Sequence, residues 1–404
     1  MNFYNFIVIG AGPAGLTAGI VAARKGFSVI ILEKGSIAGP KPRGEGMAHE
    51  AIVDEILGKG YLPSIGLRSH GGRVWHSPDD LNSGTTLKEY PHYFFEWRTF
   101  IDRFVQVIEE LNVKLVLNSE VFAPIERNGI TIGIKYRDEK GNVDEIFGNA
   151  ILDCSGYSGV IGKQYGIDYK AMNCPIIKCL ISDANYTINE HPDLEFFFIG
   201  NGDLQYSPEF PPSVAYFFPL DNKRAEVGLM LRMSQIPNMK TVKIPDEDDI
   251  MKVWNSIKNS YPTYSEFFKG ATIDYEELTQ LPNAKIAEKF IPNPGVVVIG
   301  DAAGFVNPFG SSGLYYSMEM AKFWVNIISN KLKDNITEDY NEVLWSSDNI
   351  NAFNNEFEDF SVFKEVEHMY NLIGAFEYKI FNRLRTSEKI NKKWDYIMSL
   401  LEQA

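Results

Sequence analysis

Cysteine is scarce: Cys154, Cys174 and Cys179 are the three in 404 residues. A count so small and odd excludes a disulfide framework and fits a reducing compartment. Positive charge is short as well, with 39 Lys and Arg against 53 Asp and Glu, a net charge of −14. That balance argues against a nucleic-acid partner, which calls for a basic surface. No uncharged apolar run reaches the roughly 18 residues needed to cross a bilayer. The opening "MNFYNFIVIGAG" carries no cationic leader and no cleavage site, so no signal peptide is expected. Internal repeats and low-complexity linkers are missing too. The expectation is a cytoplasmic protein, at most in peripheral contact with a membrane surface.

What is present is enough apolar content, 45% of residues, for a sizeable core, in a chain long enough for two or three domains. Residues 3–9 read as a buried strand, 13–25 as a helix stopped by Gly26, and "SVIILE" (28–33) as a second strand. This is a βαβ opening. An amphipathic helix follows at 98–111, then strands at 113–117, 121–124 and 130–136, with "RDEKGN" (137–142) turning a hairpin. Between Cys174 and Leu281 short strands dominate: "IIKCLIS", "LEFFFIG", "SVAYFFPL" and "RAEVGLMLR". "GVVVIGDAAG" then returns to the buried-strand style, before a long helix near 313–332.

These patterns predict an α/β fold: a Rossmann-type domain, an inserted antiparallel-sheet substrate domain and a C-terminal helical region. The expected bounds are 1–72, 92–165 and 282–335 for the first, 73–91 and 166–281 for the second, and 336–404 for the third.

Gly10-Ala11-Gly12-Pro13-Ala14-Gly15 is G-x-G-x-x-G between a strand and a helix. The first glycine suits a tight turn, the second backbone contact with a pyrophosphate at the helix N-terminus, the third close helix–strand packing. Glu33 ends the next strand, where a carboxylate can hold ribose hydroxyls and repel a 2′-phosphate. That selects FAD or NAD over NADP. The second strand-and-turn motif, "VVVIGDAAGFVNPFGSSG" (296–313), places Asp301 to hold a ribityl chain. Gly310, Ser311, Ser312 and Gly313 then open a helix whose amides suit an electron-rich flavin edge. A single G-x-G-x-x-G argues against the two-dinucleotide reductases. Cys174 and Cys179 are spaced C-x4-C but do not follow the glycine loop, so they read as buried apolar thiols. No metal site is expected.

The glycine motif, Arg98 with Asp102, the stretch Asp153-Cys154-Ser155-Gly156-Tyr157-Ser158, and Gly300-Asp301 resemble class A flavoproteins of the p-hydroxybenzoate hydroxylase fold. Within that group, "KPRGEGM" is similar to the K-P-C-G-E-G loop of the geranylgeranyl reductase family, and "AYFFPL" (215–220) to its Y-x-W-x-F-P-K motif. "GDAAGFVNPFGSSGLYYSMEMAK" is similar to its flavin-binding strand and helix. The resemblance covers most of residues 1–335. It implies FAD as cofactor and hydride transfer from reduced FAD to carbon–carbon double bonds of a geranylgeranyl-type lipid. It also implies that Arg43 and Arg98 lie along the FAD phosphates. The full set of cofactor-binding positions so expected is Gly10, Gly12, Pro13, Ala14, Gly15, Glu33, Lys34, Arg43, Gly44, Glu45, Gly46, Arg98, Val121, Gly156, Gly300, Asp301, Gly310, Ser311, Ser312 and Gly313. Two departures stand out: Arg43 replaces the family's cysteine, and Leu220 the lysine after Phe-Pro.

An unactivated alkene needs a proton on one carbon, a hydride on the other, and a dry site. Phe196, Phe197, Phe198, Tyr216, Phe217 and Phe218 lie on strands whose alternate side chains share a face. One set is expected to floor a substrate pocket, with Phe198, Tyr216, Phe218 and Pro219 as its candidates. Tyr216 and His49 are candidates for the proton donor. A second reading is an FAD monooxygenase or halogenase acting on an aromatic or apolar molecule, since "PRGEGM" also resembles the halogenase G-E-S loop. The catalytic lysine of that class would fall after the loop, where Lys59 and Lys88 are available. A third is a flavin-binding partner protein without chemistry of its own. The expected partners are an apolar or lipid substrate and an electron donor, NADPH or ferredoxin-like.

Overall fold

A computed structural model of the chain describes residues 3–40, 42–69, 71–78, 80–87, 91–187, 194–199, 213–231, 245–310, 312–332, 340–377 and 387–402. Its first sheet has seven strands. Phe3–Ile9 lies between Val29–Leu32 and the long strand Val143–Asp153, parallel to both. Lys114–Val116 and Val296–Val298 extend this parallel part on either side. The strands Glu120–Arg127 and Ile130–Arg137 continue the sheet as an antiparallel meander. Buried on both faces, Val29–Leu32 and Val296–Val298 are continuous apolar runs, as central parallel strands are. Helix Pro13–Arg24 starts with proline at its first turn and packs one side of the sheet with Leu16, Ala18 and Ile20. Helix Trp97–Glu110 presents Phe100, Phe104, Val107 and Ile108 to the same core.

The second sheet also has seven strands. Its order runs Thr272–Leu281, Cys174–Ser182, Ala225–Leu231, Ser213–Pro219, Leu194–Ile199, Gly72–His76, Ser83–Leu87. The pairings are antiparallel with one exception: Leu194–Ile199 lies parallel to Gly72–His76. Alternation divides its side chains cleanly. Phe197, Ala215, Phe217 and Val227 face helices Glu247–Ser260 and Pro262–Glu266, where Trp254, Tyr264 and Phe267 complete a core. Phe196, Phe198, Tyr216 and Phe218 face the other way.

A small third sheet joins the two domains. Gly44–Met47 pairs antiparallel with Tyr93–Glu96, which also pairs with Leu67–Arg68. The stretch expected to be a glycine loop against the cofactor is therefore partly a strand. Its glycines answer to a different constraint. A Cβ on Gly44 would come within 2.9 Å of Glu226 and 2.7 Å of Leu220, and one on Gly46 within 3.2 Å of Phe94. Gly44 permits contact with the second sheet, and Gly46 close packing against Phe94 on its partner strand. Gly39 does carry a positive φ of 51° and is needed for the turn before the strand.

The C-terminal region does not act as one cap. Helices Ser347–Glu358 and Ser361–Glu377 put Phe353, Phe357 and Val366 into the first domain's core, with Phe357 against Trp324 at 4.9 Å. Helix Trp394–Glu402 instead joins the second sheet. Trp394, Ile397 and Leu401 cover the apolar face that carries Phe198. Trp394→Ala is expected to destabilise the chain by about 3 kcal/mol through the cavity it leaves in this layer. Denaturant unfolding checks this; an unchanged midpoint would show that the helix closes nothing.

Candidate functional site

The parallel strands of the first sheet end at one edge, and a cavity of about 500 Å³ opens there, running to the second sheet. At its near end the glycine turn takes its shape from three separate constraints. Gly10 has φ of 98°, and a Cβ on it would sit 2.5 Å from the Cys154 carbonyl oxygen. Gly15 packs its Cα against the Gly10 carbonyl, leaving no room for a side chain. Gly12 has nothing within 4 Å of its Cβ position. It borders open cavity at the start of helix Pro13–Arg24, where free amides and the helix dipole favour an anion.

Glu33 stands beside this turn. One carboxylate oxygen accepts from the Ala11 N–H at 2.8 Å, the other from the Gly35 N–H at 2.8 Å. Both keep lone-pair capacity toward the cavity, which Lys34, Ser119, Glu120 and Val121 continue. On the other wall, buried Asp153 accepts from the amides of Ile161 and Gly162 at 2.9 Å and from Ser155. That fixes the turn carrying Gly156, whose φ is 65°. The remaining length of the cavity runs past Asp301, Gly313 and Leu314. Burial raises the Asp301 carboxyl, with Arg43 and Lys178 opposing.

The arrangement fits FAD. A cradle that a side chain at Gly12 would fill, a ribose-side carboxylate at Glu33 and a carboxylate at Asp301 occur along one cavity in the order a dinucleotide requires. Arg43 adds a further sign. Its guanidinium lies 3.8 Å from the Trp97 ring centroid and 3.3 Å from Glu45, while its buried Nε has no hydrogen-bond partner. A cation held this way, with donor capacity to spare at the cavity wall, suits a phosphate or flavin oxygen. FAD, when bound, supplies hydride or oxygen chemistry that no side chain here can.

Several expected positions lie elsewhere. Arg98 spends its guanidinium on Asp102 at 2.7 Å and the Ala38 carbonyl at 2.7 Å, so it braces the loop behind the cavity. Gly44 faces the second sheet and Gly46 packs on Phe94, as above. Gly300, with φ of 65°, packs on Ser317. Gly310 and Ser312 belong to the turn that closes at Asn307 and do not line the cavity; Ser311 lies outside the described residues. His49 is stacked on Tyr315 at 3.6 Å, and burial pulls its pKa down to about 4. Neutral at ordinary pH and away from the cavity, it is no acid for the reaction. Tyr216, Phe198, Phe218 and Pro219 do not line the cavity either. Phe198 is fully buried between Trp75 and Trp394, and Phe218 packs on Tyr216. Where it carries Phe198, the face expected to floor a substrate pocket is covered by the C-terminal helix.

Two residues that the motifs did not mark are in the site. Lys178 reaches into the cavity from strand Cys174–Ser182. Glu226, 1% exposed, lies 3.8 Å from its ammonium and accepts the Gly44 N–H at 2.8 Å. Burial raises the Glu226 pKa to about 7 against the pull of Lys178, and burial with Arg43 lowers that of Lys178. A lone lysine in "IIKCLIS" and a lone glutamate in "AEVGLML" were the available signals, since charge inside an apolar strand needs a partner.

A family model described as FAD dependent oxidoreductase matches residues 5–173. Digeranylgeranylglycerophospholipid reductase 2 of Methanopyrus kandleri is 24% identical, over 83% of this chain and 79% of its own length. The digeranylgeranylglycerophospholipid reductase of Picrophilus torridus is 24% identical, over 85% of this chain and 81% of its own. Among solved structures, a geranylgeranyl bacteriochlorophyll reductase-like protein from Thermoplasma acidophilum superposes with a TM-score of 0.72 at 16% identity, covering 100% of this chain and 99% of its own. A flavin-dependent brominase superposes at 0.68, with 16% identity and coverage of 99% and 93%.

Leucine at position 12 should abolish FAD retention, because its side chain enters the cradle while touching no packed atom. The purified Gly12→Leu protein is expected to be colourless with an unchanged thermal midpoint. A yellow, FAD-loaded variant would place the pyrophosphate elsewhere.

Proposed function

We propose that this chain, an FAD-dependent oxidoreductase of the geranylgeranyl reductase family, reduces carbon–carbon double bonds of an isoprenoid lipid or a closely related apolar substrate. The observation that carries the reading is the inner end of the cavity. Its lining there combines apolar Leu281, Val306 and Leu314 with the charged side chains of Arg43, Lys178 and Asp301, against the second sheet. An isoprenoid alkene is a poor hydride acceptor, and water at the site would waste the reduced cofactor and solvate the proton donor. An end that sets apolar side chains beside a titratable lysine suits that substrate. The relatives named for reduction of digeranylgeranylglycerophospholipid support it over most of their length.

The partners follow from the same reading. Electrons would come from NADPH or a ferredoxin-like protein, and the substrate would be drawn from a membrane surface. No described helix is long and apolar enough to cross a membrane.

An oxygen-dependent reading, halogenation or hydroxylation, has its own support. A tryptophan 2-halogenase of Chondromyces crocatus is 22% identical over 78% of this chain and 59% of its own length. Yet Lys59 is exposed beyond the helix Glu50–Leu57 and does not line the cavity, and Lys88 lies outside the described residues. Lys59 therefore does not supply that chemistry from the place the motif suggests.

Anaerobic reduction of the FAD-loaded protein with dithionite, followed by a geranylgeranyl lipid, separates the two. The expected result is flavin reoxidation with a mass gain of one hydrogen pair per double bond. Reoxidation by oxygen alone, with a hydroxylated or halogenated product, would reverse the assignment.

A further inference from the structure

We infer that Lys178 and Glu226 form the proton-delivery pair of this site, Lys178 handing a proton to the substrate and Glu226 reloading Lys178. The inference rests on the reductive reading above and extends it to the group that the sequence could not name.

The proton must reach carbon where water is shut out, so its donor must line the cavity. Arg43 lines it but does not give up its proton. The Cys154 thiol lines the glycine-turn end, and burial beside Asp153 raises its pKa well above the ordinary range. The Tyr216 hydroxyl shares the sheet face of Lys178 but does not line the cavity; it is buried 3.4 Å from the Ile177 carbonyl and from Glu226. Lys178 remains. Its neighbours fit a donor: Arg43 repels its charge, and the apolar strand around it withholds solvent. Both effects make it a stronger acid. Asp301 and Glu45 face it from the cavity wall and hold it protonated before the reaction. Glu277 sits opposite it on the neighbouring strand, bonded to the Tyr275 hydroxyl.

In the step itself the Lys178 Nζ–H bond breaks and a C–H bond forms at one alkene carbon, using the π electron pair. The other carbon takes the hydride that reduced FAD supplies, so the alkene gains two electrons and the cofactor loses two. Lys178, now a neutral amine, recovers a proton from Glu226. The 3.8 Å between Nζ and Oε1 is closed by a small swing of the lysine side chain or bridged by one water. Glu226 is recharged from solvent between turnovers.

The sign of the pH dependence follows. Glu226 carries its proton below about pH 7 and loses it above, so reduction should slow as pH rises through that point. Burial raises that midpoint, Lys178, the Gly44 amide and Arg43 pull it down and Glu45 pushes it up, with the Tyr216 hydroxyl 3.4 Å away.

The test uses the FAD-loaded chain with a geranylgeranyl lipid as probe. Lys178→Arg keeps the cation but cannot donate, and should lower the rate of flavin reoxidation about a hundredfold with FAD content unchanged. Glu226→Gln should remove the alkaline fall in rate. It should also remove a protonated-carboxyl band from the infrared spectrum that wild type shows on the acid side of about pH 7. A wild-type rate in Lys178→Arg, or an infrared band that survives in Glu226→Gln, overturns the inference. Wild type that never passes electrons to the lipid overturns the reductive reading instead, whatever the infrared spectrum shows.

Discussion

The burial of one carboxylate governs how the two domains meet. Glu226 sits in the interior of an apolar strand, where an unpaired charge would cost several kcal/mol. It is compensated from two directions: the Gly44 amide comes from the first domain and the Lys178 ammonium from the neighbouring strand of its own sheet. The amide can arrive only because position 44 has no side chain to strike Leu220 and Glu226. Once Gly44 is docked, Arg43 is carried to the cavity wall, over Trp97 and beside Glu45. The small sheet is therefore more than a connector. It transmits the position of a buried charge in one domain to a cation facing the cofactor site in the other.

The two ends of the cavity are built by different means. At the nucleotide end the work is done by backbone: a positive-φ glycine, an open glycine and free helix amides, with Glu33 oriented by two more amides. Such a site is rigid and its charge is fixed. At the inner end the work is done by side chains that can titrate. Two cations, Arg43 and Lys178, face three carboxylates, Glu45, Glu226 and Asp301. Burial raises the pKa of Glu226 to about 7 and raises that of Asp301 as well, so the groups of the cluster that take up a proton most readily are its two buried carboxylates. The binding end holds; the reacting end exchanges.

That difference explains how much was legible in the sequence. Gly10, Gly12, Gly15, Glu33 and Asp301 could be read because each role follows from neighbours a few residues away. Gly44 and Gly46 were legible as glycines that something approaches closely, but the approaching groups are Glu226, 182 positions on, for Gly44 and Phe94 for Gly46. Arg98 was legible as a cation near the loop, yet Asp102 one turn later claims it. The aromatic strands showed their alternation plainly. Which face would stay open depended on Trp394, which belongs to a helix nearly two hundred residues further along. Lys178 and Glu226 were visible only as single charges in apolar runs. Their pairing required the register that sets Leu180 opposite Glu226 and Lys178 opposite Gly228.

The register also accounts for the placement of a lysine in this cavity. The Phe-Pro stretch ends in Leu220, and that side chain packs on Gly44 in the wedge between the sheets. A lysine there would set a long cation against the amide that Glu226 already binds, and the strand carrying Arg43 would be pushed away. Lys178 enters from the adjoining strand and reaches the same carboxylate from the cavity side, without contesting the Gly44 amide. Gly228, directly across from it, leaves room for the Tyr216 ring, since a Cβ there would lie 2.5 Å from the Tyr216 hydroxyl. Leucine at 220, glycine at 44 and 228, and lysine at 178 thus form one steric solution. Each keeps Glu226 buried, paired and able to change its protonation next to the site where a proton is consumed.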